Sequence, residues 1–157
     1  MPKRTLGRGG SFGKKVVRIL AIDYGTKRIG LAVSDPLGFT AQGLETILVQ
    51  NKQKTLEAVA KVCKDYGVGE IVVGFPVNMN GSLGPKARET SEWVEKLQTE
   101  LNIPVKTWDE RLTSMQADRL MIEEGLSRQK QKQQSDRLAA TLILQAYLES
   151  QRSRKIE

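Results

Sequence analysis

The residues of this chain best suited to chemistry are carboxylates placed at the ends of apolar runs. Asp23 closes the run Ile19-Leu20-Ala21-Ile22, which is apolar on both faces and reads as a central strand. A carboxylate at the end of a buried strand is costly unless something neutralises it, and a metal ion is the strongest candidate. The tract Asp23-Tyr24-Gly25-Thr26 is also good turn chemistry, with Gly25 free to take a positive φ. Asp109 and Glu110 follow a second short run, Val105 to Trp108; strand alternation sends them to opposite faces, so only one can join Asp23. Asp136 precedes Ala139, Ala140 and Ile143 at helical spacings, so it should face the sheet with them. Each acid also has a plain structural reading. Asp136 could be a first-turn acid that complements a helix dipole, and Glu110 could pair with Arg111 or Arg137. Three converging carboxylates would repel one another unless cations sat between them. Two Mg²⁺ or Mn²⁺ ions, about 3.5–4 Å apart, would relieve that repulsion and form a phosphodiester-cleaving centre.

An absence narrows the choice further. Among 157 residues there is no histidine, which excludes Ser-His-Asp and Cys-His catalysis, a histidine base, and histidine-ligated zinc. Carboxylates holding hard, oxygen-loving cations are the economical hydrolytic chemistry that remains. The 25 Lys and Arg against 18 Asp and Glu give a formal charge of +7, which favours a polyanion such as nucleic acid as partner. A lone cysteine, Cys63, sits at an apolar helix position and reads as core packing in a reducing cytoplasm. No segment approaches the apolar length needed to span a bilayer, and the basic N-terminus lacks the apolar stretch of a secretory signal, so a cytoplasmic protein with no membrane partner is expected.

The elements that must position these acids follow in order. Residues 1–15 form a basic, Gly-rich tail, expected to be flexible. A hairpin spans about Val16 to Ser34, Asp35 to Gly38 is a turn, and Phe39 to Val49 supports a third strand interrupted by Gly43. Lys52 to Tyr66 is an amphipathic helix closed by Gly67, and Glu70 to Phe75 is a strand apolar on both faces. The loop from Gly74 to Ser82, with Asn78 and Asn80, lies where ligands bind in α/β sheets, at the carboxyl end of a strand. Pro85 to Leu101 is a second helix with Ala87, Val94, Leu97 and Leu101 inward; Val105 to Trp108 is a fifth strand. Thr113 caps a third helix to about Glu124. Ser127 to Gln134 reads as a mobile polar connector, and Ser135 caps a last helix to about Ser150, before a basic tail over 151–157. The expectation is one α/β domain over 16–150, with a mixed five-stranded sheet, three antiparallel strands and then two parallel, flanked by helices.

Four stretches in this order, Asp23-Tyr24-Gly25-Thr26-Lys27-Arg28-Ile29-Gly30, Gly74-Phe75-Pro76 with Asn78-Met79-Asn80-Gly81, Trp108-Asp109-Glu110-Arg111-Leu112-Thr113, and Asp136-Arg137-Leu138-Ala139-Ala140, closely resemble the motifs of the YqgF/RuvX family. The resemblance covers about Ile19 to Leu148. It implies an RNase H-like fold and a nuclease acting on the 5′ end of pre-16S rRNA, or, in the family's earlier description, a Holliday junction resolvase. It also implies Asp23, Glu110 and Asp136 as catalytic and metal-holding acids, with Glu110 preferred to Asp109 because RNase H-like sites commonly carry Glu in that position. Lys27, Arg28, Asn78, Asn80 and Arg111 are expected to contact substrate. Ser114 stands where the family often has Thr, and the stretch before Asp136 is richer in Gln than in most relatives. Pre-rRNA is the favoured partner, with branched DNA, the ribosome and a homodimer as further possibilities. Two other readings compete: an RNA- or ribosome-binding assembly factor without catalysis, and, ranked low for a chain with room for one domain, half of an actin- or Hsp70-like ATPase.

Overall fold

The structure, a computed structural model, describes residues 17–25, 27–76, 80–109 and 128–156, with the backbone alone for 128–136 and 153–156. Among the described residues five strands and three helices follow in the order β1 (Arg18–Tyr24), β2 (Arg28–Ser34), β3 (Ala41–Leu48), α1 (Lys52–Tyr66), β4 (Val68–Phe75), α2 (Pro85–Leu101), β5 (Val105–Asp109) and α3 (Arg128–Ile156). The sheet order is β3-β2-β1-β4-β5. β1 pairs antiparallel with β2 and β2 with β3, while β4 runs parallel to β1 and β5 parallel to β4. That is the mixed sheet expected from the sequence.

Alternation along the strands builds two different faces. One carries Leu20, Ile22, Tyr24, Ile29, Leu31, Val33, Ile71, Val73 and Val105, and packs against Leu56 and Val59 of α1 and Trp93, Val94 and Leu97 of α2. The other carries Ile19, Ala21, Ala32 and Val72, and packs against Ala140, Ile143, Leu144, Tyr147 and Leu148 of α3. Local chemistry sets the helix ends. Asn51 Oδ1 accepts from the Lys54 N–H at 2.8 Å and so caps α1. Gly67 ends α1 at φ 66°, a left-handed conformation that glycine adopts without a Cβ penalty. Pro85 opens α2, and Asn102 closes it in the left-handed region. Cys63 is core, as expected, and burial pushes its thiol up to about 11.

Some expectations require correction. α3 begins at Arg128 rather than Ser135 and runs to Ile156, so the described part of the supposed connector, and most of the supposed basic tail, are helical. The reason is propensity: Gln, Lys and Arg are good helix formers, and no Gly or Pro interrupts them. β4 starts at Val68, ahead of the expected Glu70, and Trp93, left out of the expected inner stripe of α2, is buried. Gly25 is not in the left-handed region; a Cβ there would stand 2.5 Å from the Arg28 carbonyl oxygen, so glycine is needed for close approach. The expected helix from Thr113 to Glu124 and the tail over 1–15 lie outside the described residues.

At the start of β1 the register with β4 shifts between Arg18 and Ile19, and Ser34 Oγ accepts from the Ile19 N–H at 2.8 Å in the interior. Ser34→Ala leaves that buried donor unpaired and is expected to cost about 1–3 kcal/mol. Urea denaturation checks this, as a lowered midpoint with an unchanged slope.

Candidate functional site

Asp23 stands near the carboxyl end of β1. Its parity matches Ile19 and Ala21, so it belongs to the α3 face. Its cross-strand partner on β2 is Gly30. On β4 the register reaches Val73 beside Ile22, so Gly74 follows at the level of Asp23, and Gly74 pairs in turn with Trp108. A half-buried carboxylate therefore sits level with a glycine on each neighbouring strand.

The path of α3 is fixed at two places. Arg137 Nε donates to the Leu44 carbonyl at 3.1 Å, and Leu44 lies opposite Leu31, one residue from the Gly30–Asp23 pair. Near the other end of the sheet the Tyr147 hydroxyl donates to Glu70, which also pairs with Lys106 at 3.0 Å. Trp108 meets Tyr147 edge-on at 5.9 Å between ring centroids. Burial, then the bond to Glu70, pushes the Tyr147 hydroxyl above its ordinary value; the bond to Glu70 chiefly raises the Lys106 ammonium. Arg137 is thus held over β3 at the level of Ile22, one residue before Asp23. Position 136 lies inside the helix, one turn before Ala140 and two before Ile143, both fully buried. It is the ninth residue of α3 and not in its first turn, which removes the helix-dipole reading. The side chain of Asp136 lies outside the described residues.

The other expected site residues divide. Asp109 ends β5; Lys106, two strand positions before Trp108, and Trp108 itself both meet Tyr147 on the α3 face, so alternation puts Asp109 on the opposite face from Asp23. Lys27 is exposed at the β1–β2 turn, where its carbonyl accepts from the Val49 N–H at 2.9 Å, and Arg28 opens β2. Asn80 Oδ1 accepts from the Ser82 N–H at 3.0 Å and the Ser82 hydroxyl at 2.6 Å, a turn-forming role. Glu110, Arg111 and Asn78 lie outside the described residues. Among the described residues no three acids, cysteines or histidines come together as a metal cage. Nor is any described helix long and apolar enough to cross a membrane.

One positioning residue escaped the sequence. Gly43, read there as an interruption of a strand, is where α3 touches β3. A Cβ on it would lie 2.6 Å from Arg137 Cγ and 3.2 Å from Thr141 Oγ1. A glycine inside a strand marks such approaches, so the signal was available but ambiguous. Arg137 Nε is bonded to the β3 backbone; its expected alternative partner, Glu110, lies outside the described residues.

A solved structure of Thermus thermophilus RuvC in complex with a Holliday junction substrate matches with a TM-score of 0.57 at 17% identity, covering 87% of this chain and 96% of that one. The Fowlpox virus Holliday junction resolvase matches with a TM-score of 0.52 at 14% identity, over 85% of this chain and 99% of that one. The fold is therefore that of the RNase H-like resolvases. Residues 17–150 match the family model RuvX, described as Holliday junction resolvase. A protein of Pelotomaculum thermopropionicum named "Putative pre-16S rRNA nuclease" is 48% identical over 136 residues, 86% of this chain and 88% of that protein. A Clostridium botulinum protein of the same name is 50% identical over 134 residues, 85% and 98% of the two chains. The chain belongs to the YqgF/RuvX family, a family of nucleases, hydrolases of nucleic acid ester bonds.

Gly43→Val forces the Arg137 stem and α3 away from β3. The expected cost is about 1–3 kcal/mol of stability, read as a lowered urea midpoint.

Proposed function

We propose that this protein is a metal-dependent nuclease that trims the 5′ end of pre-16S rRNA in ribosome biogenesis, acting in the cytoplasm. The observation that carries the reading is the placement of Asp23, on the α3 face between Gly30 and Gly74, at the end of the sheet past which α3 runs. The rRNA substrate is favoured over branched DNA because the relatives at about half identity, matched over most of both chains, carry that name. The resolvases share the fold at far lower identity.

Asp23, Glu110 and Asp136 would hold the cations. Asp109 lies on the other face, which supports Glu110 as the second acid. All three candidates offer hard carboxylate oxygens, and the glycines beside Asp23 leave room for an ion, so the donor set fits Mg²⁺ or Mn²⁺ in one or two sites. When bound, such cations supply positive charge at the scissile phosphate and lower the pKa of an attacking water. The chain's own groups do the rest. Lys27 and Arg28, at the turn beside Asp23, hold the phosphates of the cleaved strand, and Arg111 contributes a further cation there. Asn78 and the Asn80 amide N–H groups contact the nucleic acid from the β4–α2 loop, while the Asn80 carbonyl keeps that loop turned.

Asp23→Asn keeps the shape and removes the charge. It is expected to lower trimming of a precursor 16S 5′ end by at least about 100-fold, beyond the 10–100-fold typical of a lost outer-shell partner, with the melting temperature of the fold retained. Chelation of divalent ions should stop the wild-type reaction and Mg²⁺ or Mn²⁺ restore it. Full activity of Asp23→Asn, or of the chelated protein, contradicts the reading. The family description favours one alternative, a Holliday junction resolvase. Preferential nicking of four-way DNA junctions over precursor rRNA in the same preparation would establish it, and such symmetric cutting would need two sites and a two-fold dimer.

A further inference from the structure

We propose that the open cleft between the first turn of α1 and the first two turns of α2 is a base-recognition site that takes guanine from the single-stranded substrate. The cleft has a volume of about 320 Å³ and is lined by Lys52, Pro85, Arg88, Glu89 and Glu92. That is the lower end of the size range of small-molecule sites. The proposal extends the nuclease reading and rests on it for the presence of nucleic acid.

β3 and β4 run in the same direction as β1, and α1 and α2 follow them, so both first turns stand on the edge of the sheet that carries Asp23. Tyr24 follows Asp23 directly and faces the other way. It stacks on Trp93 of α2, with ring centroids 4.5 Å apart. Burial first, and the charge of Glu89 second, raise the Tyr24 hydroxyl above its ordinary value, which places Glu89 near it. The turn of α2 that carries Glu89 and Glu92 is therefore held firmly against the end of β1. A strand of nucleic acid crossing this edge would meet Asp23 on one face and the cleft on the other.

The first turn of α2 has no acid and contains Lys86 and Arg88, the opposite of what the helix dipole favours. Among the described residues Lys52, Arg88 and Glu92 make no ion pair and no side-chain hydrogen bond, although they share one cleft.

A phosphate would gain from Lys52 and Arg88 and lose to Glu89 and Glu92. A neutral base with acceptors and donors on adjacent edges gains from both. Guanine has this pattern: O6 and N7 accept two N–H bonds from one arginine, and N1–H and the N2 amino group donate to a carboxylate. Adenine has an amino group where guanine has O6, so it loses the paired arginine bonds and sets a donor against a donor. Base edges can be read this way only where the strand is unpaired.

The test is an NMR titration of the ¹⁵N-labelled full chain with guanosine 5′-monophosphate, adenosine 5′-monophosphate and inorganic phosphate. The guanine nucleotide should shift the amides of Lys52 and of residues 85–92 saturably and bind about tenfold tighter than the adenine nucleotide. Glu92→Gln should abolish that preference and Arg88→Gln should weaken binding, with melting temperatures unchanged because both side chains are exposed. Equal affinity for the two nucleotides, the same shifts from phosphate alone, shifts confined to other residues, or no saturation by about 20 mM would each overturn the proposal. Should a variant fail to fold, the comparison of nucleotides on the wild-type chain decides alone. Cleavage is not read, so failure here leaves the reading of Asp23 standing, and active Asp23→Asn protein would sink that reading without touching this one.

Discussion

The close seating of α3 on one face of the sheet is the constraint on which the rest depends. A helix can approach a sheet closely only where side chains on both surfaces are small. This interface supplies Ala21 and Ala32 from the strands, Ala139 and Ala140 from the helix, and Gly43 at the edge, where a single added carbon would collide with Arg137. The height of the helix is held by backbone and side-chain bonds at separate points, Arg137 to the Leu44 carbonyl and Tyr147 to Glu70. With α3 so placed, Arg137 lies over β3 at the level of Ile22, the residue before Asp23.

The two faces of the sheet divide the work. The α1–α2 face buries the large aliphatic side chains and the Tyr24–Trp93 stack, and it provides most of the apolar burial that stabilises the domain. The α3 face has a smaller apolar cluster and the polar group of Glu70, Lys106 and Tyr147. Strand alternation connects the two: each residue of β1 serves one face, so Asp23 can be directed toward chemistry while Ile22 and Tyr24 on either side of it are committed to the core. A carboxylate is tolerated there because its neighbours are glycines and a strand end, not packed aliphatic groups.

Particular residues show what could be read from sequence. α1 and α2 were delimited to the residue because Gly67, Pro85 and Asn102 act through backbone conformation, which is local. The mixed sheet was legible from a hairpin followed by β-α-β spacing. The start of α3 was not, because a run of Gln and Lys is compatible with solvated loop and solvated helix alike, and only contacts made further along, from Arg137 onward, anchor it. Trp93 was missed because its burial depends on Tyr24, a partner far away in sequence. Asp23 could be picked out from its place at the end of an apolar run. Choosing Glu110 over Asp109 needed the resemblance to the family, since strand alternation alone says only that one of the two can join Asp23. The cleft of Lys52, Arg88, Glu89 and Glu92 had no sequence signature, being formed by the N-terminal turns of two helices that start more than thirty residues apart.

The central claim is that carboxylates brought together by the seating of α3 hold divalent cations. Anomalous diffraction from crystals of the protein soaked in Mn²⁺ tests it most directly. The account predicts manganese peaks within coordination distance of Asp23, Glu110 and Asp136 together. Manganese bound to none of them, or to Asp23 with Asp136 turned away on the far side of α3, would contradict it.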